Sequence, residues 1–129
     1  GCIPVIRIDV QGAIELIPKM PEAVSVFILP PSLIELRKRI EKRQTETPEK
    51  IEERMDTAIA EIMCSYFYDN QVVNDNLEDA LQDLNFIIQG GERINTSLAD
   101  ECVCMELNER TIEKINYFLA QAEKNGLKS

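Results

Sequence analysis

The segment Ala23-Val-Ser-Val-Phe-Ile-Leu-Pro-Pro-Ser32 decides the fold class of this chain. Before the prolines it is apolar except for one serine and rich in β-branched side chains, which predicts a buried strand. Proline cannot continue a ladder of backbone hydrogen bonds, so the strand ends there. Ser32 is a favourable helix N-cap with Glu35 three residues later, which predicts a helix that runs to about Arg43.

Strands and helices alternate on both sides of this segment. Strands that are apolar on both faces and alternate with helices predict a parallel α/β sheet. The other predicted strands are a buried strand at Pro4–Asp9, a strand at Gln71–Asn74, and a short strand through Val103, Met105 and Leu107. The other predicted helices are one at 13–19, one capped by Thr47 with Pro48 at its first position, one capped by Asp75 or Asn76 that ends at Gly90-Gly91, and one from Asn108 to Asn125.

Helical spacing of apolar residues predicts which faces point inward. The predicted inward residues are Ile51, Met55, Ala58, Ile59, Ile62 and Tyr66 in the helix after Thr47, Leu77, Leu81, Leu84 and Ile88 in the next helix, and Ile112, Ile115, Leu119 and Ala122 in the last.

The net charge of −9 is unevenly distributed along the 129 residues. Residues 1–55 carry nine basic and nine acidic side chains, whereas residues 56–129 carry five basic and fourteen acidic ones. This acidic half argues against nucleic acid as a partner. Half of all the basic residues lie between Arg37 and Arg54, so an anion would be expected to bind there.

The cysteines and the apolar runs of the sequence bear on the redox state and the cellular location of the protein. There are four cysteines and no histidine, so the sequence offers no Ser–His or Cys–His nucleophile pair, and we predict reduced thiols and no metal site. No apolar run approaches the roughly 18–20 residues of a membrane span. The first residues lack the pattern of a signal peptide, so we expect a cytoplasmic protein that does not contact the membrane.

Four motifs occur in the order and spacing of one known family. They are Asp9-Val-Gln-Gly-Ala13, then Phe27-Ile-Leu-Pro-Pro-Ser32, then Arg39-x-x-x-Arg43 with Thr45-Glu-Thr47 and Arg54, and finally Tyr68-Asp69 with Val72-Val-Asn-Asp-Asn-Leu-Glu78. Together they resemble the C-terminal half of a guanylate kinase. The resemblance implies part of the parallel three-layer α/β sheet of a P-loop nucleoside monophosphate kinase, and it implies transfer of the γ-phosphoryl group of ATP to GMP with Mg²⁺ as cofactor.

The resemblance also implies roles for individual residues. Arg39, Arg43 and Arg54 match the catalytic arginines of the family's lid, which close over the nucleotide phosphates. Arginine suits this task because its charge is permanent and its planar fork donates paired hydrogen bonds. The matched nucleotide-binding positions are Asn74, Asp75, Asp9, Gln11 and Gly12.

Simpler interpretations of these residues stay open. Arg39 and Arg43 lie four apart on a charged helix and could pair with Glu35 and Glu46. Asn74-Asp75 could serve only as a helix cap, and Gln11-Gly12 only as a turn.

Two departures from the family pattern bear on activity. Arg7 stands where the family has a carboxylate that holds GMP, and an arginine cannot accept a hydrogen bond. No Gly-x-x-x-x-Gly-Lys-[Ser/Thr] loop occurs among the 129 residues, and such a loop cradles the ATP phosphates. The resemblance implies that the strand leading to this loop would lie between Pro4–Asp9 and Ala23–Leu29, so the sheet of this chain would have a gap.

We therefore predict two regions. Residues 1–91 form the guanylate-kinase-like half, with the lid at about 32–67. Residues 92–129 form an extension whose amphipathic helix, 108–125, packs on the domain or contacts a protein partner or second copy.

The predicted function is a guanylate kinase represented by a segment that is inactive by itself, with ATP and GMP as substrates once a P-loop half is present. The alternative is a non-catalytic guanylate-kinase-like module that binds proteins.

Overall fold

The computed structural model describes residues 5–43 and 47–127. In these ranges helices precede, separate and follow two β-strands. The elements are α1 (Val10–Leu16), a 3-10 turn (Ile17–Lys19), β1 (Val26–Leu29), α2 (Leu33–Arg43), α3 (Pro48–Met63), a 3-10 turn (Ser65–Phe67), β2 (Asn70–Val73), α4 (Leu77–Ile88), α5 (Ser97–Val103) and α6 (Glu109–Lys124).

The helix starts predicted from capping residues are confirmed. The Ser32 hydroxyl accepts a hydrogen bond from the Glu35 N–H at 3.1 Å. Thr47 caps α3, and Pro48 occupies the first helical position, where a missing N–H is not needed. Between the two predicted candidates for the cap of α4, the structure selects Asn76, whose side chain accepts from the N–H groups of Glu78 and Asp79.

The two strands pair in parallel, which confirms the predicted α/β class. Val26 lies opposite Asn70, and Leu29 lies opposite Val73. At the start of the pair Ser25 and Asp69 are cross-linked, because the Ser25 N–H and hydroxyl both donate to the Asp69 carboxylate and the Asp69 N–H donates back to the hydroxyl at 2.8 Å. These bonds fix the register.

The edge of β2 that faces away from β1 is covered by the chain after α4. The Gln71 N–H donates to the Arg93 carbonyl at 2.8 Å. The buried Asn70 side chain accepts from the Arg93 N–H, and that of Gln71 accepts from the Asn95 N–H. In the described ranges β1 pairs with β2 alone, so its other edge is open.

Helix α3 lies between two apolar clusters. Its Ala60 is buried with Val10 and Ile14 of α1 and with Phe118 and Ala122 of α6. On another face its buried residues pack with β1 and α5; this second cluster comprises Leu29, Met55, Ile59, Ile62, Leu98, Ala99 and Cys102. Residues 97–124 therefore pack on the rest of the chain as part of its core.

The predicted strand at Pro4–Asp9 is wrong over its described residues, 5–9. This stretch forms no regular element, and Val5 is 84% exposed. A strand needs a hydrogen-bonded neighbour, and within 5–43 and 47–127 none pairs with it. Asp9 consequently begins a helix rather than ending a strand.

The inward faces of α4 and α6 also differ from prediction. In α4, Ala80 and Ile87 are buried and Leu84 packs beside them, whereas Leu77 is 72% exposed and Leu81 and Ile88 are exposed too. The apolar stripe of α4 is wider than the surface that the two-stranded sheet covers. In α6 the buried residues are Thr111, Phe118 and Ala122, while Ile112 and Leu119 are exposed.

Two smaller predictions are corrected as well. Val103 ends helix α5, and Met105 and Leu107 lie in the connection to α6, so no strand forms there. The alternation of apolar residues is too short to outweigh the packing of α5 on α3. Tyr66 is exposed on the 3-10 turn after α3 rather than inside. None of the helices described is both long and apolar enough to cross a membrane.

We predict that the 129-residue chain self-associates through the open edge of β1. Open strand edges recruit other strands, and Ile28 on this strand is 48% exposed. Ile28→Lys should reduce oligomers in sedimentation velocity, because a charged side chain at an edge disfavours pairing. Lys substitution of the exposed Ile112 on α6 serves as the control and should not. A wild-type chain that sediments as a sharp monomer would contradict this prediction.

Candidate functional site

A pocket lies where β1 and β2 end, against helix α2. It has a volume of about 220 Å³, and its lining residues are Ile28, Leu29, Pro30, Leu36, Arg39, Ile40, Arg43 and Asn74. We call it the strand-end pocket. Three of the predicted site residues, Arg39, Arg43 and Asn74, are thus brought together at the carboxyl edge of the sheet, where parallel sheets usually bind ligands.

Arg39 bridges α2 to the end of β2. Its Nη2 donates to the carbonyl oxygen of Asn74 at 2.9 Å, and its Nε lies 3.5 Å from the Glu35 carboxylate. The simpler interpretation of Arg39 as a partner of Glu35 therefore holds in this conformation, although the guanidinium also lies at the pocket. The other glutamate suggested as a partner for Arg39 and Arg43, Glu46, falls outside the described residues. Asp75 is exposed beside Asn74.

A second, wider cleft opens between α2 and α3. It has a volume of about 500 Å³, and its lining residues are Leu36, Ile40, Arg43, Lys50, Glu53, Arg54, Thr57, Ala58 and Glu61. We call it the arginine cleft. Leu36, Ile40 and Arg43 border both cavities, so the strand-end pocket and the arginine cleft adjoin along α2. Arg43, Lys50 and Arg54 give this cleft three cationic side chains, against the two carboxylates of Glu53 and Glu61.

The predicted residues Asp9, Gln11 and Gly12 form the start of α1. The Asp9 Oδ1 accepts from the Gly12 N–H at 2.8 Å. A Cβ at position 12 would lie 3.2 Å from that oxygen, so glycine allows the tight cap. Gln11 donates to Glu15 at 3.3 Å, while its own Oε1 is buried with no hydrogen-bond partner within 5–43 and 47–127.

Glu61 on α3 links this start of α1 to the arginine cleft, and sequence reasoning missed it. Burial raises the pKa of its carboxyl, and the nearby charge of Asp9 raises it further, while Lys114 and the Val10 N–H act in the opposite direction. Glu61 also lines the cleft with Arg43 and Arg54. The available signal was a single acidic residue inside the apolar run Ala58-Ile-Ala-Glu-Ile-Met63.

Tyr68 and Cys64 complete the surroundings of Glu61. Burial, and secondarily the charge of Glu61, raises the pKa of Tyr68 well above its ordinary value. The same two causes raise the pKa of the Cys64 thiol to about 12. Cys64 therefore stays protonated and unreactive at neutral pH.

The described thiols and carboxylates do not form a metal centre. Cys64, Cys102 and Cys104 are free cysteines, and Cys2 lies outside the described residues. Within the described ranges no three His, Cys, Asp or Glu side chains come close enough to hold a metal ion. Asp9 uses one oxygen as a helix cap, so this part of the chain does not by itself present a ligand set that fits Mg²⁺.

Comparison with known protein families bears on the part of the chain that holds both cavities. The family model for guanylate kinase matches residues 1–90. The chain belongs to the guanylate kinase family. The predicted resemblance is thus confirmed, and the family match spans α1 through α4, which include both cavities.

Individual guanylate kinases show the extent of the similarity. The chain is 39% identical to the guanylate kinase of Clostridium perfringens over 109 residues, 84% of this chain and 46% of that protein. It is 40% identical to that of Deinococcus radiodurans, with 84% and 45% covered. For Thermus thermophilus the identity is 43% over 88 residues, or 68% and 40%. The chain thus spans less than half the length of these relatives.

The alignment with Clostridium perfringens also bears on the C-terminal helices. It covers 109 residues of this chain, whereas the family model ends at residue 90. The aligned stretch therefore continues past residue 90, into the segment that packs on α3. The division into residues 1–91 and 92–129 stays a prediction.

We predict that Glu61→Gln raises the melting temperature at pH 7. A carboxyl whose pKa is raised by folding destabilises the folded protein when it is ionised. This destabilisation disappears as the pH falls below the ordinary pKa of the carboxyl in the unfolded chain. The gain should therefore shrink between pH 7 and pH 4. Thermal melts at low protein concentration measure it, and Glu113→Gln on the exposed side of α6 should melt like the wild type. A lower melting temperature of Glu61→Gln at pH 7 would contradict the prediction.

Proposed function

We propose that this chain supplies the lid and strand-end half of a guanylate kinase that converts ATP and GMP to ADP and GDP. The observation that carries the proposal is the convergence of Arg39 and Arg43 from α2 and Arg54 from α3 on two adjoining cavities. A ligand with several phosphates would meet permanent positive charge on both sides of the arginine cleft. The family membership of the chain supports the same reaction.

Phosphoryl transfer depends mainly on positioning and charge stabilisation. The γ-phosphoryl group leaves the β-phosphate oxygen of ATP and bonds to a phosphate oxygen of GMP, with charge spread over its equatorial oxygens. Arg39, Arg43 and Arg54 would act as catalytic residues by donating to those oxygens. Arg39, which now donates to the Asn74 carbonyl, would exchange that acceptor for a phosphate oxygen.

The remaining proposed nucleotide-binding residues divide between the two substrates. Asn74 and Asp75 follow β2 and would contact the adenine side of ATP. Asp9, Gln11 and Gly12 at the start of α1 would lie toward GMP. The buried Gln11 Oε1, which has no hydrogen-bond partner among the described residues, would serve as an acceptor. Arg7 is exposed in place of the family's carboxylate, so selectivity for guanine depends on other residues.

ATP and Mg²⁺ are the cofactors that the family implies. Mg²⁺ bound to ATP would neutralise phosphate charge in the complete enzyme. Since the described residues offer it no ligand set, we assign no Mg²⁺ ligand to this chain. The P-loop, which the sequence lacks, is proposed to come from a separate half of the protein or from another chain.

A non-catalytic binding module is the second candidate, and the exposed Arg7 is the observation that favours it. A module without nucleotide would have no use for three arginines around two cavities, so we favour the kinase. Among the nucleoside monophosphates, GMP should be the preferred acceptor if the kinase proposal is right.

We predict that Arg43→Ala lowers turnover by roughly 10²–10³, the usual cost of removing one donor to transition-state charge. Arg43 is exposed, so its loss should cost about 0.5 kcal/mol or less in folding. GMP-dependent ADP release by the protein joined to a P-loop half, together with thermal melts, measures both quantities. Lys38→Ala removes a charge from the exposed face of the same helix and should leave turnover unchanged. Arg43→Ala with full turnover and a much lower melting temperature would identify a structural arginine.

A further inference from the structure

A forked ion pair joins the two helices that line the arginine cleft. Arg37 of α2 donates through Nη1 to Glu52 Oε1 at 2.8 Å and through Nη2 to Glu52 Oε2 at 3.2 Å. Two parallel bonds between a guanidinium and a carboxylate restrict orientation as well as distance. The hydrogen bond raises the pKa of Arg37 and lowers that of Glu52, so both groups stay charged at neutral pH.

The apolar packing of helix α2 is shallow. None of its residues is fully buried, and its apolar side chains Leu33, Leu36 and Ile40 are only partly buried against the second cluster. Apolar contacts of this kind are non-directional and permit sliding. The Arg37–Glu52 pair, which we call the fork, adds a directional restraint across the two helices.

The fork lies close in sequence to the arginines of both cavities. Arg37 precedes Arg39 by two residues and Arg43 by six, and Glu52 precedes Arg54 by two. At 1.5 Å per helical residue, these separations correspond to about 3–9 Å along the helix axes. A shift of α2 against α3 would therefore move Arg43 relative to Arg54 directly.

We propose that Arg37 and Glu52 are positioning residues that hold the arginines of α2 in register with Arg54 across the arginine cleft. This inference rests on the proposed kinase function for its effect on turnover. Misplacing a catalytic group by 1 Å can lower a rate by as much as about 100-fold. Loss of the fork should thus reduce kcat far more than it reduces stability.

Glu52→Ala tests the fork because loss of the fork and loss of a negative charge should act in opposite directions. Removing a negative charge near a cationic cleft would by itself strengthen attraction of anionic substrates, whereas loss of the fork should weaken catalysis. In the protein joined to its P-loop half, we expect kcat to fall about tenfold or more, with KM for ATP and GMP within about threefold of wild type. The melting temperature should fall by only a few degrees, since exposed ion pairs contribute little stability.

Two further variants make the test specific. Glu49→Ala removes the same charge from an exposed position on the first turn of α3 and should leave kcat unchanged. Arg37→Glu should lower kcat, and the exchanged pair Arg37→Glu with Glu52→Arg should restore it to within about threefold of wild type. A Glu52→Ala variant with wild-type kcat, or an exchanged pair no better than Arg37→Glu, would overturn the proposal.

Hydrogen–deuterium exchange tests the fork independently of the reaction. We expect backbone amides of α2 to exchange at least about threefold faster in Glu52→Ala and at the wild-type rate in Glu49→Ala, with α4 unaffected in both. If the wild-type protein joined to its P-loop half shows no GMP-dependent turnover, the proposed function fails while this comparison still decides the fork. Unchanged exchange across α2 in Glu52→Ala would show that the fork does not hold the helix.

Discussion

The structure depends on one buried carboxylate on helix α3. Asp56 is only 5% exposed, and a buried charge is costly unless it is paired and hydrogen-bonded. Its Oδ1 accepts from the Asn108 side chain at 2.8 Å and from the Thr111 hydroxyl at 3.1 Å, and its Oδ2 lies 3.0 Å from Arg110. All three partners lie at the start of α6, so the charge can be buried only when α6 docks on α3.

This constraint connects the core to the candidate site. Docking of α6 brings Phe118 and Ala122 against Ala60 and the start of α1. The same helix α3 then presents Arg54 and Glu61 to the arginine cleft and Glu52 to the fork. Helix α3 is therefore held by packing on one side and lines the arginine cleft on the other. Helix α2, by contrast, has no fully buried residue.

Local signals in the sequence predicted much of this arrangement. Ser32, Thr47-Pro48 and Asn108 are capping residues whose chemistry acts over three or four positions, and the helices they predict are present. The apolar runs around Leu29 and Val72 were correctly predicted as strands. The family resemblance identified Arg39, Arg43 and Asn74, which the structure gathers at one pocket.

The failures concern features that local sequence does not determine. The segment at residues 5–9 has strand composition, but a strand requires a neighbour to pair with. The choice of inward face in α4 depends on how much of its wide apolar stripe the sheet covers. Arg37 and Glu52 are 15 residues apart, and Asp9 and Glu61 are farther still. Contacts of this kind arise only when tertiary packing brings the helices together.

A reconstituted phosphotransfer assay tests the central claim most directly, namely that this chain is one half of a guanylate kinase whose arginines need a P-loop partner. ADP release would be followed for the 129-residue chain alone and after co-expression with the P-loop half of the Clostridium perfringens relative. We expect no turnover by the chain alone, because positioning of the ATP phosphates is missing, and GMP-dependent turnover once the two halves associate. Turnover by the chain alone, or a stable complex of the halves without turnover, would contradict it.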